Sequence, residues 1–353
     1  MMTPAVTMVA LVLTGFVFPL SVSQAGDSLI PSDMVYVAHG PSVMGLDKEP
    51  PVTDSGKPRT PYAKRMNTPW SADALNDETP AHMVMLDSYL IDKYEVSNRA
   101  YGDFLRASGH PAPAYWDDPR LNTPSQPVVG VNWYDAKAYC EYRGKRLPTE
   151  AEWEKAARGP KGTLYPWGHE FDPAKANFGK HHEATMPVDA YPDGVSYYGA
   201  YNMAGNVFEW VADWYDPRYY GRLETMVNPT GPAQPIWLGG TGTYVDRLTV
   251  GEKRVIRGGS WIAPDGTLKA THRFWNHPMN NSYGVGLGFR CAQTAPSDID
   301  QQIRDAYVSA LVEMGRERFA DADRALSRGL ATDPKNVELL ELRELIAQSM
   351  KGS

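Results

Sequence analysis

The sequence predicts a fold of short strands and helices joined by long irregular loops, followed by a small helical tail. The 353 residues include 20 Tyr, 10 Trp, 31 Gly and 29 Pro, a mixture typical of turn-rich folds held together by aromatic side chains. After Gln293 the composition changes to Ala, Leu, Arg and Glu with helical spacing. These observations favour neither a long-helix protein nor a doubly wound one.

The N-terminus predicts export. Residues 6–22 are apolar, and Ser23, Gln24 and Ala25 follow, with small residues at the positions that a signal peptidase reads. Residues 1–25 are therefore expected to be a signal peptide, and the body to be periplasmic or secreted. The alternative is an uncleaved anchor, because no Lys or Arg precedes the run and its length approaches a membrane span. A membrane contact is expected only in that case.

The net charge and the cysteine content indicate which ligands and which covalent bonds to expect. The formal net charge is −7 and no basic block occurs, so nucleic-acid binding is not expected. The two cysteines, Cys140 and Cys291, are most simply one structural disulfide in an oxidising compartment. Closing that loop would restrict the unfolded chain by roughly 4–5 kcal/mol in the entropic model. Two unrelated buried thiols are the alternative.

Strand patterns are few and short. Met34–Val37 predicts one strand, and residues 83–91, which alternate between the two faces, predict another. Residues 47–80 are rich in Pro, Asp and Thr and predict a long surface excursion. Residues 165–214 show little periodicity, and Val255 with Ile256 predicts a further short strand.

Three helices are predicted between residues 97 and 159, each with a capping residue before it and a glycine after it. Thr149 and Glu152 form a capping box, in which each side chain satisfies a free amide of the helix start. The expected limits are Ser97 or Asn98 to Gly109, Asn132 to Gly144, and Thr149 to Gly159.

The last 60 residues predict a helical hairpin similar to a tetratricopeptide repeat. One repeat cannot bury its own apolar face, so the tail must dock on the main domain or on a partner. The predicted organisation is a signal peptide at 1–25, a main domain at 26–293 and the tail at 294–353. The residues that fit the second helix of a repeat are Phe319, Ala322, Leu326, Gly329 and Pro334.

Residues 257–291 are irregular and rich in Pro, Gly and Asn, so they predict a long ordered loop, and such loops are usually functional. Short sequence motifs occur at both ends of this loop and at several places before it. Together they resemble the formylglycine-generating enzyme (sulfatase-modifying factor) family over about residues 30–293. The matching phrases occur in the family's order at 34–37, 92–98, 127–133, 144–154, 165–168, 202–210, 257–261 and 288–291.

The resemblance implies an α+β fold related to C-type lectins, and it makes Cys140 and Cys291 the family's structural disulfide. Catalytic members convert a substrate cysteine to formylglycine with oxygen and with copper held by two loop cysteines. The matching positions here are Ala263 and Leu268. Neither supplies the thiolate that monovalent copper prefers, so we expect neither copper binding nor the family's reaction.

The family also holds calcium, and the resemblance implies a site at Asn206 and Glu209, whose oxygens suit a hard cation. The alternative is that both side chains satisfy local amides. A second family site would start at Asn177, but the segment that should carry its Asp is shortened.

Other residues of the loop offer two further hypotheses. His272 and His277 could ligate iron or copper, as in relatives that build sulfur-containing histidine derivatives, but the additional helical domain of those relatives is not evident. Iron is therefore not expected. A cleft for an extended peptide or a small ligand is the second hypothesis, although Arg257, Arg273 and Arg290 could instead be structural. The candidate cleft residues are Ser260, Trp261, His272, Arg273 and Asn276.

Three functions follow from these observations. The first is an exported binding or maturation factor for another exported protein or peptide, acting through the cleft or the helical tail. The second is a metal-dependent oxidoreductase that modifies a peptide or small molecule without the cysteine pair. The third is a structural component of the cell envelope, because family members also occur in secretion and motility machineries.

Overall fold

The computed structural model describes residues 30–47, 77–222, 225–236, 251–279 and 284–352. The predicted signal peptide and most of the predicted excursion at 47–80 lie outside these residues. The fold is α+β, as predicted, and the described residues contain small sheets, three helices in the main domain and three more in the tail. Within the described residues, no helix is both long enough and apolar enough to cross a membrane.

Three small sheets form the main domain. In the first, β1 (Met34–Val37), β4 (Tyr89–Asp92) and β9 (Ala292–Thr294) are antiparallel, with β4 in the centre. The second pairs β2 (Gly40–Met44) with β3 (His82–Leu86). The third has four strands in the order β7 (Phe274–Asn276), β6 (Arg254–Arg257), β5 (Phe208–Trp214) and β8 (Leu287–Phe289), and only β5 and β8 are parallel.

The main-domain helices follow their predicted caps. Helix α1 spans Asn98–Ser108, α2 spans Trp133–Tyr142 and α3 spans Glu150–Arg158. Their N-caps are Ser97, Asn132 and Thr149, and the last two complete capping boxes with Asp135 and Glu152. Short 3₁₀ turns occur at Pro173–Lys175, Pro192–Gly194, Tyr219–Arg222, Asp265–Thr267 and Gly284–Gly286.

The predicted disulfide is present. Cys140 of α2 joins Cys291, which lies between β8 and β9, across 151 positions of sequence. Both cysteines lie in an aromatic cluster in which Tyr139 packs against Tyr101 and Phe289. The bond therefore ties α2 to the point where the chain leaves the four-stranded sheet.

The C-terminal hairpin is also present, and it docks on the main domain. Helix α4 (Ser297–Gly315) lies against α5 (Phe319–Thr332), and α6 (Val337–Gly352) follows. Ile299 and Ile303 of α4 share an apolar cluster with Met34, Tyr36 and Leu90 of the first sheet. That these helices form a tetratricopeptide repeat stays a prediction.

Three strand predictions were wrong. Residues 83–91 form two strands of different sheets, because the chain turns at Asp87 and Ser88. Residues 165–214 include β5, whose burial on both faces hides the alternation that identifies an exposed strand. The loop 257–291 contributes β7 and β8 to the four-stranded sheet.

Two described residues of the predicted excursion, Asp77 and Glu78, are also not at the surface. Both side chains are buried. Glu78 accepts hydrogen bonds from Lys269 Nζ at 2.8 Å and from Thr271 Oγ1 at 2.7 Å. The Tyr215 hydroxyl donates a hydrogen bond to Asp77 Oδ2 at 2.7 Å. Partners distant in sequence therefore bury this acidic pair.

Candidate functional site

Two glycines shape the start of the loop. Gly258 and Gly259 have φ values of 95° and 76°, which side chains rarely adopt. A Cβ on Gly259 would lie 2.7 Å from Thr267 Oγ1, so the chain passes too close to itself there for any other residue. This turn places Ala263 and Leu268 on a tight segment, with the Leu268 amide donating to the Asp265 carbonyl at 2.9 Å.

The two positions at which the resemblance implies the catalytic cysteines are apolar and buried. Leu268 is fully buried and packs with Tyr165, Ala176, Phe178 and Ala204. Ala263 is also buried. Because Cys140 and Cys291 are bonded to each other, the chain has no free thiol. This arrangement offers no thiolate to a soft metal ion.

Four of the five predicted cleft residues lie in the interior. Ser260, Trp261, Arg273 and Asn276 are buried, and Trp261 Nε1 donates to the Val285 carbonyl. The side chain of the fifth, His272, is 21% exposed. In this conformation only His272 offers side-chain surface to a ligand, and the cleft stays a prediction.

Arg257 and Arg273 form a buried ion network with α3. Arg273 donates from Nε and Nη2 to Glu150 at 2.8 and 3.0 Å, and Arg257 donates to Glu154 Oε2 at 2.5 Å. Burial alone would raise the pKa of Glu154, but the Arg257 and Arg158 guanidiniums hold it below its usual value. These contacts favour the structural alternative for both loop arginines.

Arg290 is structural in the same way. Its Nε and Nη2 donate to the two carboxylate oxygens of Glu209 at 2.7 and 2.6 Å, a bidentate pair. Trp153 Nε1 donates to Glu209 Oε2 at 2.8 Å. Both oxygens of this predicted calcium ligand are therefore already accepting hydrogen bonds.

Asn206 belongs to a buried amide cluster around Glu95. Asn206 and Asn202 donate from Nδ2 to the two oxygens of Glu95 at 3.0 and 2.7 Å. Burial first, and then the charge of Glu209, raise the pKa of Glu95 to about 8. Sequence reasoning missed Glu95, although it lies in the singled-out phrase 92–98.

The same cluster contains two amide oxygens that have no hydrogen-bond partner among the described residues. The Oδ1 atoms of Asn177 and Asn202 are buried without a hydrogen-bond partner among the described residues. Asn206 Oδ1, by contrast, already accepts from the Met186 amide at 2.8 Å. Calcium prefers amide and carboxylate oxygens, so the two unpartnered oxygens suit it better than the predicted pair does. Calcium stays a prediction, and thermal unfolding with calcium or a chelator tests it.

The two loop histidines have separate partners. His272 Nδ1 lies 3.2 Å from Glu78 Oε1, and His277 Nδ1 accepts from the Met279 amide at 3.1 Å. Burial and the charge of Lys253 lower the pKa of His277. Across the described part of the chain, no group of three His, Cys, Asp or Glu side chains is arranged to hold a metal ion.

Two cavities open on other faces of the main domain. The larger, about 510 Å³, lies between α2, the start of α3 and the residues around β5 and β6. The smaller, about 160 Å³, is lined by residues that include Asp92, Glu95 and Lys145. Neither cavity is lined by any of the five predicted cleft residues.

Several known proteins are similar to this chain in sequence and fold. The family model for the sulfatase-modifying factor enzyme 1-like domain matches residues 22–295. The serine/threonine-protein kinase pkn1 of Chlamydia pneumoniae is 38% identical over 244 residues, covering 63% of this chain. The match spans about a third of that relative (36%).

Two other known proteins match this chain over most of their own length. The formylglycine-generating enzyme of Streptomyces coelicolor is 35% identical over 279 residues, covering 62% of this chain and 82% of that one. The structure of PvdO from Pseudomonas aeruginosa aligns with a TM-score of 0.54 and 25% identity, over 74% of this chain and 94% of that one. Together with the ordered phrases and the disulfide, these matches show that the chain belongs to the sulfatase-modifying factor family of formylglycine-generating enzymes.

Proposed function

We propose that this chain is an exported member of its family that does not generate formylglycine and acts as a binding or maturation factor for another exported protein. The proposal rests on Ala263 and Leu268, which stand at the positions where the resemblance to the family implies the two catalytic cysteines. A thiolate cannot come from elsewhere, because both cysteines of the chain are in the disulfide.

The surroundings of Leu268 support the loss of the reaction. Copper in its monovalent state selects soft sulfur ligands, whereas the contacts of this position are aromatic rings and small apolar side chains. Arg257 and Arg273 hold the loop in place through hydrogen bonds to glutamates of α3. The family's framework therefore remains, without the groups that bind the metal and the substrate thiol.

Export is supported by two independent features. Residues 6–25 have the pattern of a signal peptide, and a disulfide is the usual fate of two cysteines in an oxidising compartment. N-terminal sequencing of the protein from the periplasm or culture medium tests this part. A chain that retains residues 1–25 would contradict cleavage and favour the envelope-anchored alternative.

The tail supplies the surface for a partner. Val308, Leu311 and Val312 lie on one face of α4, at helical spacing, and are 57%, 45% and 45% exposed. Contiguous exposed apolar residues are typical of protein contacts. We take the partner to be another exported protein that presents an apolar surface to this face.

The first experiment tests the missing reaction. The purified chain is incubated with copper, oxygen and a cysteine-containing sulfatase peptide, and mass spectrometry measures conversion of the thiol to the aldehyde. We expect no conversion and no tight binding of monovalent copper. The double variant Ala263→Cys with Leu268→Cys is the matched control and should gain copper binding. Conversion by the unchanged chain would contradict the proposal.

The second experiment tests the partner contact. The chain is cross-linked in cells, and each protein joined to it is identified and then purified for a binding measurement. The double variant Val308→Asp with Leu311→Asp should lose the complex, because it places charge on the apolar face. Ala320→Asp, an exposed change on α5, should keep it. A chain that forms no complex, or only pairs with itself, would contradict the proposal.

A further inference from the structure

The larger cavity of the main domain lies away from the loop positions Ala263 and Leu268. One wall is a single face of α2, which carries Trp133, Lys137 and Glu141 at intervals of four residues. Arg254 at the start of β6 and Ala212 of β5 also line the cavity. Its volume of about 510 Å³ is within the range of small-molecule sites.

Arg254 is held between two tryptophan rings. Its guanidinium carbon lies 3.9 Å from the ring centroid of Trp133 and 3.2 Å from that of Trp214. Nη1 donates to the Ala212 carbonyl. Stacking on both sides fixes the plane of the guanidinium, so an incoming group meets donors that are already oriented.

The charge of Arg254 is not neutralised by a carboxylate. Among the residues that the structure describes, Arg254 forms no ion pair, and its Nε is buried without a hydrogen-bond partner. Burial lowers its pKa to about 10, which leaves it cationic at neutral pH.

The other cations of the cavity differ from Arg254. Arg146 donates to both oxygens of Glu152 at 2.6 and 2.7 Å, and Lys137 pairs with Glu141 one turn away on α2. Their charges are therefore already compensated. Among the described residues, Arg254 is therefore the one cation lining the cavity that has no carboxylate within ion-pair distance.

From this geometry we infer that the cavity binds a carboxylate-bearing ligand, whose oxygen accepts from Arg254. Carboxylates match the planar fork of arginine, and charge-assisted hydrogen bonds of this kind are the strong ones. Leu86, Leu147 and Ala212 provide apolar contacts for the remainder of the ligand. The carboxylate can belong to a small organic acid or to the C-terminus of a peptide.

Calorimetry on the full chain tests this with two pairs of probes. Benzoate is compared with benzamide, and an apolar tetrapeptide with a free C-terminus is compared with its C-terminal amide. We expect at least one acid to bind about tenfold or more tightly than its neutral counterpart, the scale of one charge-assisted hydrogen bond. Benzoate binding indicates a small acid, and binding of the peptide acid alone indicates a chain terminus.

Variants locate the site. Arg254→Gln should abolish the preference for the acid, and Lys137→Gln, which removes a paired cation from the same cavity, should change affinity less than about twofold. The acid and amide comparison needs no variant, so it remains informative if Arg254→Gln fails to fold. Equal binding of acid and amide, absence of binding by every probe, or an equal loss in Lys137→Gln would overturn the inference.

Discussion

Two buried regions of this protein, the space between α3 and the loop and the interface of α5 with α4 and α6, are filled by different kinds of side chain. In the first, Arg257 and Arg273 meet Glu150 and Glu154 with almost no exposure to water. In the second, Ala306, Gly329 and Leu339 pack against one another without charges.

The difference shows how each region specifies its geometry. A buried ion pair is costly unless each charge has its partner, so the first region tolerates little change in charge. The second region depends on shape, because a Cβ on Gly329 would lie 2.7 Å from both Ala306 Cβ and Leu339 Cδ1. The loop is therefore fixed by charge and the tail by close packing.

The largest effect is expected from Arg257→Met. It leaves Glu150 and Glu154 with less compensation in the interior, so the free energy of unfolding should fall by about 3–5 kcal/mol. Urea unfolding measures the change. Arg328→Met, on the exposed side of α5, is the control and should stay within about 0.5 kcal/mol. A loss below about 1 kcal/mol for Arg257→Met would remove the distinction between the two regions.

Gly329→Ala tests the packed region. Alanine usually stabilises a helix interior relative to glycine by about 1 kcal/mol, but here the new methyl group overlaps two neighbours. We expect a net destabilisation of about 1–3 kcal/mol in chemical denaturation. Gly315→Ala, at the end of α4 where nothing lies within 4 Å of the new Cβ, should be neutral or stabilising. The same sign in both variants would show that packing does not limit this interface.

Glu95→Gln tests a buried acid whose pKa is raised by burial and then by the charge of Glu209. The pKa of Glu95 is about 8 in the fold, against about 4.3 for an unfolded glutamate, so the folded state binds the proton more tightly. This stability is fully present at low pH and is lost as the pH rises towards 8, with a slope of up to about 1.4 kcal/mol per pH unit.

The Gln variant cannot titrate, so its unfolding free energy should depend less on pH than that of the unchanged chain between pH 5.5 and 7.5. Guanidinium unfolding at several pH values measures both slopes. Glu338→Gln on the surface of α6 is the control and should leave the slope unaltered. Parallel slopes for Glu95→Gln and the unchanged chain would show that Glu95 is ionised in the fold throughout this range.

The smallest effect is expected from Lys137→Gln. Lys137 and Glu141 form an ion pair on the surface of α2, with side chains 46% and 57% exposed. Such pairs contribute about 0.3–0.5 kcal/mol, so thermal unfolding should change little. A loss of stability comparable to that of Arg257→Met would mean that exposure does not decide how much an ion pair stabilises this protein.

Local features of the fold were predictable, and features set by distant partners were less so. The caps at Ser97, Asn132 and Thr149 are hydrogen bonds within three residues, so the sequence contains both partners. Strand β5 was missed because its burial depends on other sheets and helices that pack on it.

The sequence by itself determined the family and the starts of the three main-domain helices, since each depends on which residues are present and in what order. Only the tertiary structure shows that the loop arginines have a structural role. Arg257 and its partner Glu150 are 107 residues apart in sequence. The tertiary structure also decided that Glu78 is buried under Lys269, 191 residues away. Long-range contacts form only when the whole chain folds, and no local pattern specifies which charges will meet.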